Sequence, residues 1–452
     1  VGVGGIGMSG LAQMLRRQGY TVAGSDRQLS GPGRDELMAG LRSQGVGIHP
    51  QDGSGVAATK PVALIASAAV EEGNPDFEAA PGVPRFGRAE ALSAALGRSG
   101  TKLIAVAGSC GKTSVTGWLA AALRALGHGV EMVCGGYALA SVAPGVPGNY
   151  DADPDPEFSV VEVDESDRSL VQFTPDVGLL LNVGHDHYGH EELVRVFARF
   201  LDQCQASVVL ATELLPVFGE HGPRTRTTFG LEEQGGDVTL ANYASDLTSI
   251  RFELSGIGPC SSGQMGRHSA LNATAVAAVL RQLGEDPARI PAALASFAGI
   301  AQRFQRMTDG PSRSIPVYLD YAHNPEKVRA ALLTAREAAN GPILAAFQPH
   351  GYGPLGFMRD ELRAVLAQTL EPKDLFVLLP VYYAGGTTSF RPTAAEVAAD
   401  YASAGIPVCT VHKRDALIAK ADEFAAPARL AVVMGARDPS LPEWTSRLAA
   451  AL

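Results

Sequence analysis

The chain of 452 residues is short of cysteine, has no surplus of positive charge and carries no long apolar run, and each shortage closes off a class of function. Its five cysteines are Cys110, Cys134, Cys204, Cys260 and Cys409, an odd number with no CxxC pair. That argues against a disulfide framework or a structural zinc site and fits a reducing cytoplasm. With 37 Lys and Arg against 47 Asp and Glu the formal net charge is -10, so the basic footprint of a nucleic-acid binder is missing. A phosphorylated small molecule is still admissible, because a few backbone amides and one lysine hold phosphate in an acidic protein. No apolar stretch reaches the roughly 18 residues of a membrane-spanning helix, no signal peptide is visible, and no short-period repeat is found.

What is present reads as globular. Hydrophobic residues make up 46% and charged residues 19%, too apolar for a disordered chain. At roughly 150 residues per domain the length predicts about three domains. Short apolar strands alternate with amphipathic stretches, which predicts α/β architecture with parallel sheets. In residues 1–99 the strands are the end of Gly2 to Gly7, Thr21 to Gly24 and Ala63 to Ser67, with a helix from Met8 to Gly19. Because Val1 opens directly on the first glycine turn, a short N-terminal segment is expected to be missing. Gly97 to Lys102 reads as a linker. Residues 100–304 begin with the strand at Leu103, followed by a helix over Trp118 to Leu126 and strands at Phe158–Val163 and Val177–Val183. From Ser207 to Gly263, glycine-broken Val/Thr/Phe runs such as Asp237–Leu240 and Ser249–Leu254 predict a small antiparallel sheet, with helix resuming at Ser269–Leu283. Residues 305–452 carry strands at Val317–Asp320, Ile343–Phe347, Leu375–Leu379, Val408–Val411 and Leu430–Val433, alternating with helices such as Glu326–Ala339 and Thr393–Ala404, a second doubly wound domain.

Three constellations carry chemistry. The loop Gly108-Ser109-Cys110-Gly111-Lys112-Thr113, followed by Ser114, sits between a strand and a helix N-terminus. Backbone amides and the helix dipole there attract phosphate, Lys112 reaches the outer phosphates and the Thr113 hydroxyl ligates Mg²⁺. Val106 stands where the first glycine of the full motif belongs, so a chance Gly-Lys-Thr at a helix start is the competing reading. Cys110 is either reactive in that field or a passive small side chain. The second constellation, Gly2-Val3-Gly4-Gly5-Ile6-Gly7 with Asp26 at the end of the next strand, has the pattern of a dinucleotide fold, although any diphosphate ligand can use the same amides. The third is a pair of clusters at C-terminal strand ends: Glu162-Val-Asp164-Glu165-Ser-Asp167, and Asn182 with His185, Asp186, His187 and His190. Glu162 suits a Mg²⁺ ligand. The histidines admit a zinc reading, and the acidic run admits a solvated loop.

With these motifs in order the sequence resembles the Mur ligases over nearly its whole length. The matching segments are Val3 to Gly10, the phosphate loop, Glu162 to Asp167, Asn182 with Asp186-His187, and Gly266-Arg-His-Ser-Ala-Leu-Asn272. Arg303-Phe304, Asp320-Tyr-Ala-His-Asn-Pro325 and Phe347-Gln-Pro-His350 follow. The resemblance implies a Rossmann-like UDP-binding domain over 1–99, a central P-loop ATPase domain over 100–304 and a Rossmann-like amino-acid-binding domain over 305–452. It implies a cytoplasmic ligase, monomer or weak homodimer, joining UDP-N-acetylmuramate to a free amino acid, alanine first, through an acyl phosphate, with ATP and Mg²⁺ and with neither membrane nor nucleic acid as partner.

Site roles follow from the same resemblance. Lys112, Glu162, His187 and Arg303 would be catalytic, and Thr113, Glu162 and His187 would hold metal. Gly108 to Ser114 with His268, Asn272, Arg303 and Asp320 would bind ATP. Gly4, Gly5, Gly7, Met8, Ser9, Asp26 and Ser67 would bind the UDP substrate, which replaces the dinucleotide reading. Tyr321, His323 and His350 would line the amino-acid side; otherwise His323 and His350 are ordinary polar residues at strand ends. The pattern departs in places. Ser109-Cys110 replaces Thr-His, Ser269 and Asn324 replace Asn and His, and Gln302 replaces the first of two arginines. Gly351-Tyr352-Gly353-Pro354 replaces an Arg-Tyr-Thr-Arg run whose arginines hold the acceptor carboxylate. An unpaired carboxylate in a closed site is costly, so another cation is needed, with Arg359 as a candidate. The same departures leave open a murein-tripeptide recycling ligase or a catalytically weak nucleotide-binding paralogue; an NAD-dependent oxidoreductase rests on Gly2–Gly7 alone.

Overall fold

A glycine-rich turn leads straight into helix in this chain. In the computed structural model, which describes residues 1–31, 33–165, 169–184, 190–307, 315–383 and 389–452, the first helix spans Ile6–Arg17 and buries Leu11 and Met14. Strand β1 (Ala23–Asp26), the helix Arg34–Ser43 and β2 (Gly47–Pro50) follow, and β1 pairs parallel with β2. β3 (Leu64–Ala66) and β4 (Arg85–Gly87) form a second parallel pair. Residues 1–5, expected to end a strand, join neither ladder. The Val1 ammonium donates to Ile65 O at 2.8 Å, and the Gly2 and Val3 amides donate to Ser25 O at 2.7 and 2.9 Å. Val1 and Val3 thus lie between β3 and β1, lining an apolar cavity of ≈ 660 Å³ with Leu11, Leu15, Val22 and Leu64. The expected linker is shorter than its composition suggests. The helix Arg88–Ser99 runs through Gly97, and β5 starts at Lys102.

β5 (Lys102–Ala107) is central to a large sheet. It is joined by β6 (Val130–Val133), β7 (Tyr150–Ala152), β8 (Phe158–Glu162), β9 (Val177–Leu180), β10 (Ser207–Ala211), β11 (Arg226–Leu231), β12 (Val238–Ser245), β13 (Ile250–Leu254) and β14 (Gly258–Ser262). The order among the described residues is β14-β13-β12-β11-β10-β9-β5-β8-β6-β7. β8, β9 and β10 are apolar and buried nearly throughout, as strands of a parallel sheet covered on both faces must be. β13 instead alternates buried and exposed, Ile250, Phe252 and Leu254 pointing inward. At Asp237–Leu240, expected within a small antiparallel sheet, β12 runs parallel to β11, which runs parallel to β10, so on that side the segment extends the main sheet. β13 and β14 then turn back beside β12 through short loops, with the Asp246 amide donating to Ser249 O at 2.9 Å and the Ser255 amide to Thr239 O at 3.0 Å, so the expected antiparallel strand at Ser249–Leu254 is present, and at the other edge β7 pairs antiparallel with β6.

The described residues divide into two compact units. One comprises 1–242, 252–262 and 270–301, and the other 243–251, 263–269 and 302–452. The second has its own sheet of β15 (Gln305–Arg306), β16 (Val317–Asp320), β17 (Ile343–Gln348), β18 (Leu375–Leu378), β19 (Val408–Thr410) and β20 (Leu430–Gly435), in the order β15-β16-β20-β17-β18-β19. All its ladders are parallel except β15–β16. Its helices start on local signals. Asn324, where the family pattern has a histidine, caps the helix Pro325–Ala339 by accepting from the Lys327 amide at 2.9 Å, with Pro325 in the first turn. Thr393 and Glu396 form a capping box on Ala394–Ser403. Among the described residues no helix is long and apolar enough to cross a membrane.

Candidate active site

The phosphate loop joins β5 to the helix Lys112–Leu126, and its backbone is pinned from the neighbouring strand end. Asn182, just past β9, accepts from the Cys110 amide at 2.8 Å and donates to Cys110 O at 3.0 Å, and its carbonyl accepts from the Ser109 amide at 3.2 Å. Ser109 Oγ accepts in turn from the Gly184 amide at 2.8 Å. At Gly111 φ is +88°, and a Cβ there would meet Asn272 Oδ1 at 2.8 Å. Glycine is required on both counts. Asn272 therefore lies against the loop from the helix Arg267–Gln282.

The charged groups of the loop are fixed in one arrangement. Lys112 Nζ donates to Glu165 Oε2 at 2.6 Å and to Gly108 O at 2.6 Å. The pair is nearly enclosed, with side chains 11% and 8% exposed. Thr113 Oγ1 donates to Glu162 Oε1 at 3.1 Å, and the Gly135 amide donates to Glu162 Oε2 at 2.8 Å. A Cβ on Gly135 would meet that same carboxylate oxygen at 2.5 Å, so only glycine lets the backbone approach it so closely. Burial raises the Glu162 carboxyl above its ordinary range, against the Gly135 amide, the Thr113 hydroxyl and the Lys112 charge, which lower it. A hydroxyl and a half-buried carboxylate that lacks a full countercharge are hard oxygen donors, the chemistry a Mg²⁺ ion takes. Among the described residues no group of three or more His, Cys, Asp and Glu side chains gathers as a metal site. His187, with His185, Asp186 and Asp167, lies outside the described residues, so the zinc reading and the second metal ligand have no geometry here.

At the N-terminal turn, Asp26 Oδ2 accepts from the Gly4 amide at 2.8 Å and Oδ1 from the Gln28 amide at 3.0 Å, while Arg34 donates to Gly4 O at 2.5 Å. Asp26 thus braces the glycine turn itself. Gly2, Asp26 and Ser67 line one small surface pocket. Gly7 lies under the Arg88 side chain. Met8 and Ser9 face inward. Ser9 Oγ donates to Ile6 O at 3.0 Å and accepts from Asn149 Nδ2 at 2.9 Å.

In the second unit, Asp320 Oδ2 accepts from the Phe304 amide and Oδ1 from the Ala322 amide, both at 2.8 Å. Burial raises its carboxyl, against those amides and the Arg303 charge. Arg303 is exposed, its guanidinium 5.4 Å from the Tyr321 ring centroid, and its neighbours Gln302 and Phe304 both hold positive φ. His323 Nδ1 lies 2.9 Å from Tyr321 O, and the His323 and His350 rings meet edge-on at 5.6 Å. Burial lowers both imidazoles below their ordinary range, and nearby cations lower them further. His268 lies one turn before Asn272 on its helix and is exposed. Arg359 is not a free cation: Nε donates to Asp400 Oδ2 at 3.1 Å, with a second guanidinium nitrogen at 3.0 Å. That contact ties the helix Tyr352–Thr369 to the helix Ala394–Ser403.

Sequence reasoning singled out the loop, Glu162, Asn182 and the second-unit residues. It missed Glu165 as the partner of Lys112, Gly135 as a donor to Glu162, and Arg437, which lowers both histidines. The Gly135-Gly136 pair closing buried β6 was a readable sign of close backbone approach. Nothing in the sequence marks Arg437.

Three family models match in order: "Mur ligase family, catalytic domain" over residues 1–99, "Mur ligase middle domain" over 106–280 and "Mur ligase, glutamate ligase domain" over 302–437. A UDP-N-acetylmuramate–L-alanine ligase of Rubrobacter xylanophilus is 33% identical over 97% of this chain and 94% of its own length. One of Agrobacterium fabrum is 31% identical over 99% and 95%. Among solved structures, the UDP-N-acetylmuramate–alanine ligase of Thermotoga maritima is similar with a TM-score of 0.78 at 26% identity, covering 99% of this chain and 97% of that one. A murein peptide ligase of Psychrobacter arcticus shares the fold, with a TM-score of 0.64 at 21% identity, covering 100% and 97%.

Proposed function

The chain belongs to the Mur ligase family, and on that premise we propose that it joins L-alanine to UDP-N-acetylmuramate, consuming ATP and forming ADP, in peptidoglycan precursor synthesis. The observation that carries the reading is the enclosed Lys112–Thr113–Glu162 arrangement at a helix N-terminus. Clustered negative charge is the obstacle in bringing a carboxylate to a triphosphate. The loop amides hold the phosphates, and Lys112 leaves Glu165 for phosphate oxygen. Thr113 and Glu162, with His187, would hold Mg²⁺, which supplies positive charge on the phosphates when bound. Arg303 and Asp320 serve the ATP side. The substrate carboxylate attacks the γ-phosphorus, the bond to the β-phosphate oxygen breaks, and an acyl phosphate and ADP result. The amine then attacks the acyl carbon and phosphate leaves. On this reading His323 and His350, whose imidazoles burial lowers below their ordinary range, accept the proton an ammonium must lose before attack. Residues 1–99 take the UDP part, 100–304 the ATP and 305–452 the amino acid, in a cytoplasmic monomer or weak homodimer.

The test is phosphate release from MgATP and UDP-N-acetylmuramate with single amino acids or murein tripeptide added in turn. L-Alanine-dependent release is expected. Release with tripeptide alone would replace this reading by the recycling ligase, and no release with any acceptor would leave a nucleotide-binding paralogue. Lys112→Ala should lower kcat by at least about 10²–10³-fold, and retained turnover would remove the loop from the mechanism.

A further inference from the structure

Three parallel strands of the second unit, in the order β16-β20-β17, end side by side, with Asp320 opposite Met434 and Gln348 opposite Gly435. Tyr321 to His323 follow β16, His350 follows β17, and Arg437 follows β20 between them. The two flanking loops bring the His323 and His350 rings to 5.6 Å of each other. Arg437 has φ +66°, a left-handed conformation that L side chains other than Asn and Asp rarely adopt, and its side chain is exposed. Its neighbours hold it there. Ala436 is buried, and the buried Asp438 accepts from Arg414 at 2.8 Å and from the Ser440 amide at 2.9 Å. Among the described residues Arg437 makes no ion pair or hydrogen bond of its own, unlike Arg359 or Arg414. The Arg437 charge lowers the pKa of the His323 and of the His350 imidazole, and those of Arg303 and Lys327 lower that of His323. From Gly351 to Met358 the chain after His350 has no basic residue.

We infer that Arg437 is the specificity-determining cation that receives the α-carboxylate of the incoming amino acid, its strained backbone aiming the guanidinium between the His323 and His350 loops. An L-amino acid carries its carboxylate one carbon from the attacking amine, so the group that holds the carboxylate also aims the nucleophile. A planar guanidinium fits that carboxylate with two parallel hydrogen bonds. The assignment rests on the amide-ligase reading above, since it needs an amino acid as acceptor.

The test compares wild type with Arg437→Gly, which suits a positive φ and so keeps the backbone, and with Arg437→Lys. KM for L-alanine and for ATP are measured by phosphate release, and L-alanine is set against L-alaninamide, which keeps the amine and loses the negative charge. Arg437→Gly should raise KM for L-alanine about 10- to 100-fold, the scale of one lost charge-assisted bond, and leave KM for ATP within about twofold. It should also erase the wild-type preference for L-alanine over the amide, and Arg437→Lys should restore part of that preference. An unchanged KM for L-alanine, or an unchanged preference over the amide, would overturn the assignment and leave the ligase reading standing. Wild-type protein without turnover on any amino acid would overturn both.

Discussion

Lys112 and Glu165 show how a single pair sets the resting state of the site. Both side chains are nearly enclosed, and their contact is 2.6 Å. Breaking a buried pair from one side leaves the other charge uncompensated, at a cost of roughly 3–5 kcal/mol. Glutamine keeps an acceptor near Lys112, so Glu165→Gln should cost less, about 1–3 kcal/mol of nucleotide-free stability. Phosphate then meets a lysine already without its carboxylate. The melting temperature of nucleotide-free Glu165→Gln should fall, and the upward shift produced by ADP should exceed that of wild type, both read by thermal denaturation. Equal shifts in the two proteins would mean that Glu165 does not compete with phosphate. The acidic run was visible in the sequence, but not which carboxylate meets the lysine. That depends on how the chain turns after β8, and Glu162 takes Thr113 while Glu165 takes Lys112.

Elements were legible where burial repeats and obscure where polarity misleads. The second-unit strand Val317–Asp320 falls where its apolar run ends, and the helix Pro325–Ala339 starts where Asn324-Pro325 signals it. The parallel course of β12 was hidden because a half-exposed edge region of a parallel sheet has the alternation of an antiparallel one. Local sequence also does not disclose what clamps an element end. His128, just past the helix Lys112–Leu126, lies 2.7 Å from both Glu157 and Glu285, joining that helix to the approaches of β8 and to the end of the helix Arg267–Gln282. Burial lowers its pKa, and the hydrogen bonds and charges of the two carboxylates more than offset this, so the folded value is raised above the ordinary 6.5. A raised folded pKa stabilises the protein fully below the unfolded value and ceases to do so as pH rises through the folded value. The difference in melting temperature between wild type and His128→Gln should therefore be largest below pH 6.5 and shrink as pH climbs above it. A difference that stays constant with pH would show that His128 contributes only as a neutral hydrogen-bonding group.

At the scale of the molecule, three family models follow one another along the chain, yet residues 1–242 with 252–262 and 270–301 pack as one unit. Buried polar side chains tie the first part of that unit to the rest. Asn149, fully buried, accepts from Gln13 Nε2 at 3.1 Å and donates to Ile6 O at 2.6 Å and Ser9 Oγ at 2.9 Å. Ser99 Oγ donates to the buried Glu131 at 3.0 Å, and Gln44 Nε2 to Gly145 O at 3.0 Å. None of this was legible in sequence, because a lone asparagine 136 residues from its partner leaves no periodic trace. Asn149 reaches the helix just behind the glycine turn, so its amide sets how that turn is held against the central sheet. In Asn149→Ala, three polar groups on the first helix lose a buried partner, at about 1–3 kcal/mol for each that stays dry. The loosened part is the one proposed to hold the UDP substrate, while the phosphate loop lies beyond the break. Asn149→Ala should therefore melt at lower temperature and be cut faster by protease near Gly100-Thr101. Its KM for UDP-N-acetylmuramate should rise several-fold, with KM for ATP nearly unchanged. If both KM values moved together, the asparagine would support the unit as a whole and not the seat of its first part.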